Sequence, residues 1–295
     1  MDQPRHRIPP LTPERFIDLH MHSTASDGSL APAAVVATAR EAGLSAIALT
    51  DHDSVAGVAE AVTAGEAAGV RVVAGCEFSV AAPWGEMHVL GYFMPVGHDG
   101  VESFLERCRA DRLRRAEVMC GRLRDIGVEV SFASVLEEAA GGAVGRPHVA
   151  RAVVRAGAAA DVNDAFDKFL GRNRPAYAEK VLPSFGEVAE LVHGVGGVVS
   201  AAHLRDRANR QFLERLKAEG LDAVEVRHPR HGADIRSRIA GLARSLDLAR
   251  TGGSDWHGDI RLGEEHGALG SQTVPAEWLD RLEERRPAPS GGRAA

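Results

Sequence analysis

The sequence predicts an α/β fold: a (β/α) barrel interrupted by an inserted helical subdomain. Three observations predict it. Short apolar runs alternate with helix-patterned segments in the first and last thirds of the chain, whereas residues 101–180 carry helical pattern with no convincing strand. His, Asp and Glu residues gather where the apolar runs end, as they do on the active face of a parallel barrel.

The Pro- and Arg-rich segment 1–13 cannot bury apolar surface and is expected to be a disordered tail, as is 285–295. The barrel is expected to occupy 14–100 and 181–284. It opens with strand RFIDLH, helix PAAVVATAREAG, strand SAIALT, helix SVAGVAEAVTAGEAAG, strand VRVVAGCE and an extended EMHVLGYF. Pro32 suits a first helical turn, Gly43 and Gly69 sit where helices should stop, and Asp53 and Ser54 are expected to cap the second helix. Strands separated by helices imply parallel pairing through right-handed crossovers.

The insertion 101–180 starts with VESFLERCRADRLRRAEVMCGRLRDIG, read as one long amphipathic helix with Phe104, Leu105, Cys108, Leu113, Met119, Leu123 and Ile126 on its apolar side. Ser134 and Glu137 form a candidate capping box, Pro147 a helix start and Gly171 a stop. The strand rhythm then returns with helix SFGEVAELVHG, strand GVVSAAH, helix NRQFLERLKAEG, strand DAVEVRH, helix DIRSRIAGLARSL and strand ARTGGSD. Ser184 and Glu187 make another capping box.

With 295 residues and 44% hydrophobic content the chain can fill a sizeable core. Its net charge of −6 argues against a general affinity for nucleic acid or anionic membrane, so an anionic substrate must be met locally. No apolar run approaches the roughly 18 residues of a membrane span, and MDQPRHRIPPLTP lacks the apolar core of a signal peptide, so a cytoplasmic protein is expected. Cys76, Cys108 and Cys120, without a CxxC pair, read as buried free thiols.

Thirteen histidines are the unusual feature of the composition. His20 and His22, Asp51 and His52, Glu77, His88, His203, Glu225, and Asp255 with His257 all close or follow apolar strands. Such strand ends share one rim, and imidazole with carboxylate is a donor mixture that holds divalent zinc, manganese or iron. His20 and His22 alternate on extended chain, so both point to one face. Asp27, in a Ser-Asp-Gly turn, reads by itself as a turn residue, and His88 and His203, taken singly, as hydrogen-bonded core histidines. Glu77 ends VVAGCE, where an unpaired buried carboxylate would be costly, so a cation partner is expected. Small Gly252, Gly253 and Ser254 permit close packing beside Asp255 and His257.

In DLHMHSTASDGSL, LTDHDS, AGCEFS, MHVLGYF, SAAH and GGSDWHG, which occur in this order, the chain closely resembles the PHP family, the polymerase and histidinol phosphatase metal-dependent phosphoesterases. The resemblance implies a distorted (β/α)7 TIM-like barrel. It also implies a site for three divalent metal ions, manganese, zinc or iron, held by His20, His22, Asp27, His52, Glu77, His88, His203, Asp255 and His257. The chemistry expected there is in-line attack on a phosphate ester by a metal-bridging hydroxide, with Asp51 orienting a ligand histidine from behind. Candidates to protonate the leaving oxygen are a metal-bound water, His228 or His231, and Glu225 stays outside the ligand set.

GRPHVARAVV and the insertion further resemble the subgroup that acts on nucleoside phosphates and short oligoribonucleotides. Arg146 and His148 flank Pro147 at a predicted helix start, where backbone N–H groups favour an anion, and are expected to hold the substrate phosphate. Arg112 and Arg115 are expected to reach a second phosphate or the mouth of the site, and His231 to contact substrate. The expected substrate is a nucleoside monophosphate, a 3',5'-bisphosphate or, by 5'-3' action, short RNA, with no membrane and no obligate protein partner. A histidinol-phosphate phosphatase and a non-catalytic accessory module are the alternatives, the latter to be marked by missing ligands. An amidohydrolase-like enzyme would call for a carbamylated lysine at a strand end, and the strands offer none. His6, His98, His193 and His266 receive no role.

Overall fold

Apolar runs and helical pattern alternate as expected in the computed structural model, which describes residues 16–258 and 267–287. The first part comprises β1 (Phe16–Met21), α1 (Pro32–Glu41), β2 (Ala46–Leu49), α2 (Val58–Ala68), β3 (Arg71–Ala82) and β4 (Gly85–Tyr92). Four helices follow without a strand between them: α3 (Asp99–Asp125), α4 (Phe132–Ala139), α5 (Arg146–Arg155) and α6 (Val162–Ala165), the last running into a π-helical turn at Phe166–Leu170. The rest is α7 (Phe185–Gly194), β5 (Val198–Ala201), α8 (Arg210–Ala218), β6 (Ala223–Arg227), α9 (Ala233–Ser245), β7 (Ala249–Gly252), β8 (Val274–Pro275) and α10 (Glu277–Glu283).

All eight strands form one sheet, in the order β7-β6-β5-β4-β3-β2-β1-β8. It is a nearly closed barrel, because Met21 bridges Trp256 and brings the end of β1 against the chain that follows β7. β1, β2 and β3 pair in parallel, as do β5, β6 and β7. β4 runs antiparallel to both of its neighbours. A hairpin needs no crossover helix, and Gly85, at φ 115, reverses the chain so that β4 returns along β3. The largest cluster of buried side chains lies between the sheet and helices α7 to α10, and a second, from Ala116 to Ala178, lies within α3 to α6 and the segment after them.

Local signals held in several places. Pro32 opens α1, Gly69 ends α2 in the left-handed conformation, and Ser184 with Glu187 forms a reciprocal capping box. Others need correction. Asp53 and Ser54 do not cap α2, which begins after Gly57. Asp53 instead turns back at φ 47 and pairs with Arg112. The cap of α4 is Ser131, whose Oγ accepts the Ser134 N–H, so Ser134 and Glu137 make no capping box. On α3, Leu113 is 40% exposed, while Arg112 and Arg115 turn inward; Ile126, 46% exposed, lies just past the end of the helix. β8 and α10 were not anticipated, because a two-residue strand carries no readable period. Arg285 and Arg286, placed by the sequence in a tail, bond Asp247 and the Gly196 carbonyl. Residues 1–13 and 288–295, with His6 and His266, lie outside the described residues. Cys76 and Cys120 are buried and Cys108 is half-buried, all as free thiols. Among the described residues no helix is long and apolar enough to cross a membrane.

Candidate metal centre

The site is built on the alternation of β1. Asp18, His20 and His22 share one phase of the strand, and all three are completely buried. Asp18 accepts N–H groups from Ser254 and Gly270, each at 2.9 Å, and so fastens β1 to the chain after β7. The backbone completes the junction: the Asp255 N–H donates to the His20 carbonyl and the His22 N–H to that of Trp256, both at 2.9 Å. Only glycine fits at 253, where a Cβ would lie 2.4 Å from the His20 backbone nitrogen. This close approach brings Asp255 beside the two histidines. Asp255 and His203 both adopt positive φ, 52° and 30°, a strained conformation of the kind found at functional sites.

His52 and Glu77 form a backbone bridge, with the Glu77 N–H donating to the Asp51 carbonyl and the Asp53 N–H to that of Glu77. Asp51 does not face a histidine ring. Its carboxylate accepts the Ser23 N–H and hydroxyl at 2.7 Å and the Ser26 hydroxyl at 2.6 Å, and it reaches His22 only through Ser26. Asp51 thus fixes the loop that carries Asp27 and stands behind His22 by way of Ser26. Glu225 does hold a ring: its Oε1 lies 3.0 Å from His20 Nδ1, and its Oε2 accepts the His203 N–H at 2.7 Å. His88 reaches the rim from an antiparallel strand rather than from a parallel strand end, opposite Ser79 on β3.

The nine expected donors converge. Glu77 Oε2 lies 3.3, 3.1 and 3.2 Å from ring nitrogens of His20, His22 and His52, and Glu77 Oε1 lies 2.8 and 3.0 Å from His88 and His203. Asp255 Oδ1 is 3.4 and 3.3 Å from His20 Nε2 and His22 Nε2. Asp27 Oδ1 is 3.4 Å from His257 Nε2, and Asp27 Oδ2 is 3.9 Å from His52 Nε2. Eight of the nine fall into three groups of donor atoms: His20, His22, Glu77 and Asp255; His52, Glu77 and His88; and His22, Asp27, His52 and His257; His203, 3.0 Å from Glu77 Oε1, belongs to none of them.

Two features fit these groups to cations. His20 Nε2, His22 Nε2, Asp27 Oδ1, His52 Nδ1 and Glu77 Oε2 are all buried without a hydrogen-bond partner, an arrangement that is costly unless something else takes their lone pairs. Four donors set tetrahedrally at typical zinc distances lie about 3.3–3.6 Å apart, close to the spacings in the first group. The charges also interlock. Burial opposes ionisation of Glu77, yet His52, His88 and His20 hold its carboxyl well below the usual range. Burial likewise opposes protonation of His22, yet Asp255 and Glu77 raise it to about 10.

All of these donors except the deeper His20 and His22 floor a cavity of about 700 Å³ whose opposite wall comes from α3, α5 and the π-helical turn. Arg112, Arg115, Arg146, Phe166 and Lys180 face inward there. Arg112 donates through Nε to Asp53 at 2.6 Å, and Arg115 through Nε to the Ala178 carbonyl at 2.7 Å. Arg115 Nη2 is buried without an acceptor. The Arg146 guanidinium lies 5.5 Å from the Phe166 ring and, among the described residues, has no ion-pair partner. Lys180, Glu86 and Phe166 were missed by sequence reasoning; the first two pair with each other, and no local pattern marks them. Asp18 was also missed, although its two-residue spacing from His20 repeats that of His20 and His22.

Two expected substrate contacts are corrected. His148 is buried away from the cavity, and its Nδ1 accepts the Gly145 N–H at 2.8 Å. Burial and nearby Arg151 push its pKa down to about 4, so it caps α5 as a neutral ring. His231 is also buried: Nδ1 donates to the Val226 carbonyl and Nε2 accepts the Arg205 N–H, so neither nitrogen is left for substrate. His228 does line the cavity, with Nε2 3.2 Å from Asp255 Oδ2.

Comparison with known proteins agrees with this geometry. Residues 18–223 match the PHP domain. The chain is 32% identical over 255 residues to a 5'-3' exoribonuclease of Haemophilus influenzae, covering 84% of this chain and 93% of that protein. It is 32% identical over 249 residues to a 3',5'-nucleoside bisphosphate phosphatase of Chromobacterium violaceum, covering 82% and 87%. A solved structure from Bifidobacterium adolescentis, assigned as a metal-dependent phosphoesterase, superposes with a TM-score of 0.84 at 33% identity, over 95% of this chain and 99% of that one.

Proposed function

The chain belongs to the PHP family, and on that premise we propose that it hydrolyses phosphate from nucleotides, a nucleoside monophosphate or a 3',5'-bisphosphate, and acts from the 5' end on short RNA. One observation carries the reading: a cavity that opposes a floor of His, Asp and Glu donors to a wall of Arg112, Arg115, Arg146 and Lys180. The floor suits cations and the wall suits a polyanion, so a phosphate ester bridges them.

The donors would hold three divalent ions of manganese, zinc or iron, a mixed N and O set that all three accept. When bound, such ions neutralise phosphate oxygens and lower the pKa of water near pH 7. The protein's own groups do the rest. Arg146, which among the described residues rests on the aromatic faces of Phe166 and Tyr177, and Arg115, with an unpaired Nη2, are placed to receive phosphate oxygens. Phe166 offers a face for the base or ribose. Of the two histidines considered as proton donors, His228 is the one in the cavity. Its Nδ1 accepts the Arg230 N–H, so the ring proton sits on Nε2, toward Asp255 and the reacting phosphate.

Histidinol phosphate would call for carboxylates to meet its amine. Among the described cavity residues, Asp167 is the one acidic group that the helices after β4 supply, against three arginines, which favours the nucleotide. An amidohydrolase lysine is also unsupported, since Lys180 lies outside the strands and is bound to Glu86 and Ser79. The test is phosphate release by manganese-loaded protein from AMP, a 3',5'-bisphosphate, 5'-phosphorylated RNA and histidinol phosphate, with Asp255→Ala as control. Release from the nucleotides, abolished by the substitution, is the expected result. Release from histidinol phosphate alone overturns the substrate class, and no release from any of them overturns the hydrolase reading.

A further inference from the structure

Beside the metal cavity lies a second one of about 420 Å³, and the two share Glu86, Arg146 and Lys180 as a common wall. Hydrolysis of a mononucleotide makes no demand on it. Its lining differs in kind from the first, with the aromatic side chains Trp84 and Tyr177 and the exposed guanidinium groups of Arg172 and Arg207. These groups are organised. The Arg207 guanidinium sits 4.9 Å from the Trp84 ring, whose indole N–H donates to the Glu86 carbonyl at 2.9 Å. Arg146 stands 6.0 Å from the Tyr177 ring at the junction of the two cavities. Arg172 donates to the Trp84 carbonyl, and it packs so closely on the turn that a Cβ at Gly85 would lie 2.8 Å from its Nη1. The acidic members are Glu86, already bound by Lys180, and exposed Glu179.

A chain of net charge −6 therefore concentrates cations and π-faces along one short path leading out of the phosphate site. Aromatic platforms interleaved with cations are what single-stranded nucleic acid requires, because every base has a face to stack and every link carries a charge. We infer that the second cavity receives the nucleotides 3' to the one being hydrolysed, with bases against Trp84 and Tyr177 and phosphates on Arg172 and Arg207. The strand crosses from one cavity to the other over Arg146 and Lys180. The inference rests on the phosphoesterase reading above and adds a length preference that mononucleotide chemistry does not contain.

The experiment compares wild type, Trp84→Ala and the double variant Arg172→Ala/Arg207→Ala on a 3',5'-bisphosphate mononucleotide and on a 5'-phosphorylated hexaribonucleotide. The variants should raise KM for the hexaribonucleotide on the order of 10-fold, as loss of a stacking or charge contact does, with kcat and the mononucleotide KM unchanged. Trp84 also packs on Phe212, so the arginine pair, exposed and outside the core, serves as the variant whose folding is not in question. Equal effects on both substrates, or no effect on either, overturn the inference. Failure of wild type to cleave the mononucleotide would strike the phosphoesterase reading instead. Binding of a fluorescent hexaribonucleotide in the presence of chelator tests the path separately: it should weaken in the arginine variant and with added salt, and unchanged binding overturns the inference.

Discussion

At Glu77 one carboxylate meets five imidazoles, at distances between 2.8 and 3.3 Å. Glu77→Gln keeps the shape and removes the charge, so metal uptake should fall by at least about 100-fold, beyond the usual cost of losing an outer partner, and phosphate release should fall with it. Metal content after gel filtration checks this, and a fully loaded variant would contradict it. Glu225 acts one step further out, by holding His20 Nδ1 at 3.0 Å. Glu225→Gln should weaken metal affinity by about 10–100-fold without abolishing it, which a chelator competition titration would read. Lys180 supplies a pH signature on the opposite wall. Burial and Arg112 push its pKa down to about 8 against the pull of Glu86 and Asp53, so its charge is present below that pH and lost above it. KM for an anionic substrate should therefore rise as pH passes about 8, and Lys180→Arg, which stays charged, should move that rise upward. A KM profile identical in the two proteins would remove Lys180 from the substrate site.

Between elements, the decisive contact is the buried pair of Arg112 on α3 and Asp53 in the turn after His52, whose shortest approach is 2.6 Å. It ties the helices that follow β4 to a donor of the metal cluster. Arg112→Met leaves the Asp53 carboxylate buried without its cation, facing the Ser79 N–H at 3.4 Å, and should cost about 3–5 kcal/mol. Asp53→Asn keeps the shape and tolerates φ 47, so Asp53→Asn/Arg112→Met should recover part of that loss; urea unfolding that found the two effects simply additive would show the pair to be uncoupled. This contact also shows how far the sequence could be read. Cys108, Arg112, Arg115, Met119 and Leu123 follow a helical period, so the inward turn of both arginines was present in the phase; Leu113 was off it, and Ile126, though on it, lies past the last helical residue, Asp125. Hydrophobicity alone put Leu113 on the apolar face, although the phase gives that face to the arginines, because an arginine can take a core position when a distant carboxylate answers it, as Asp53 does for Arg112. His148 was misread for a related reason. A helix start with Arg and His resembles an anion site, but here the imidazole itself caps the free N–H of Gly145. The donors at strand ends were legible because each follows an apolar run. β8, Lys180 and the second cavity were not, because they depend on contacts between segments far apart in sequence.

Over the whole molecule, the cluster is where the ends of the barrel meet. Its donors span His20 on the first strand to His257 beyond the seventh, and the sheet nears closure through the Met21–Trp256 bridge beside them. A cation held there links both ends of the chain at once, and it satisfies buried atoms that otherwise have no hydrogen-bond partner. Such binding exists only in the folded state, so it adds to global stability rather than to one loop. At a thousand times its Kd, a single ion contributes about 4 kcal/mol. At about 2 °C per kcal/mol for a large domain, metal loading should raise the melting temperature on the order of 10 °C. The rise should shrink as pH falls, because the imidazoles must release protons to bind metal and are harder to strip in acid. Asp255→Asn, which weakens the group holding His20 and His22, should show a smaller rise at the same metal concentration. Melting curves with manganese and with chelator decide the matter. If they coincide for wild type, the five buried donor atoms are tolerated without a cation and the cluster does not contribute to closing the barrel; if they separate only when β1 and the Asp255 segment are both intact, the metal centre is also the fastening of the fold.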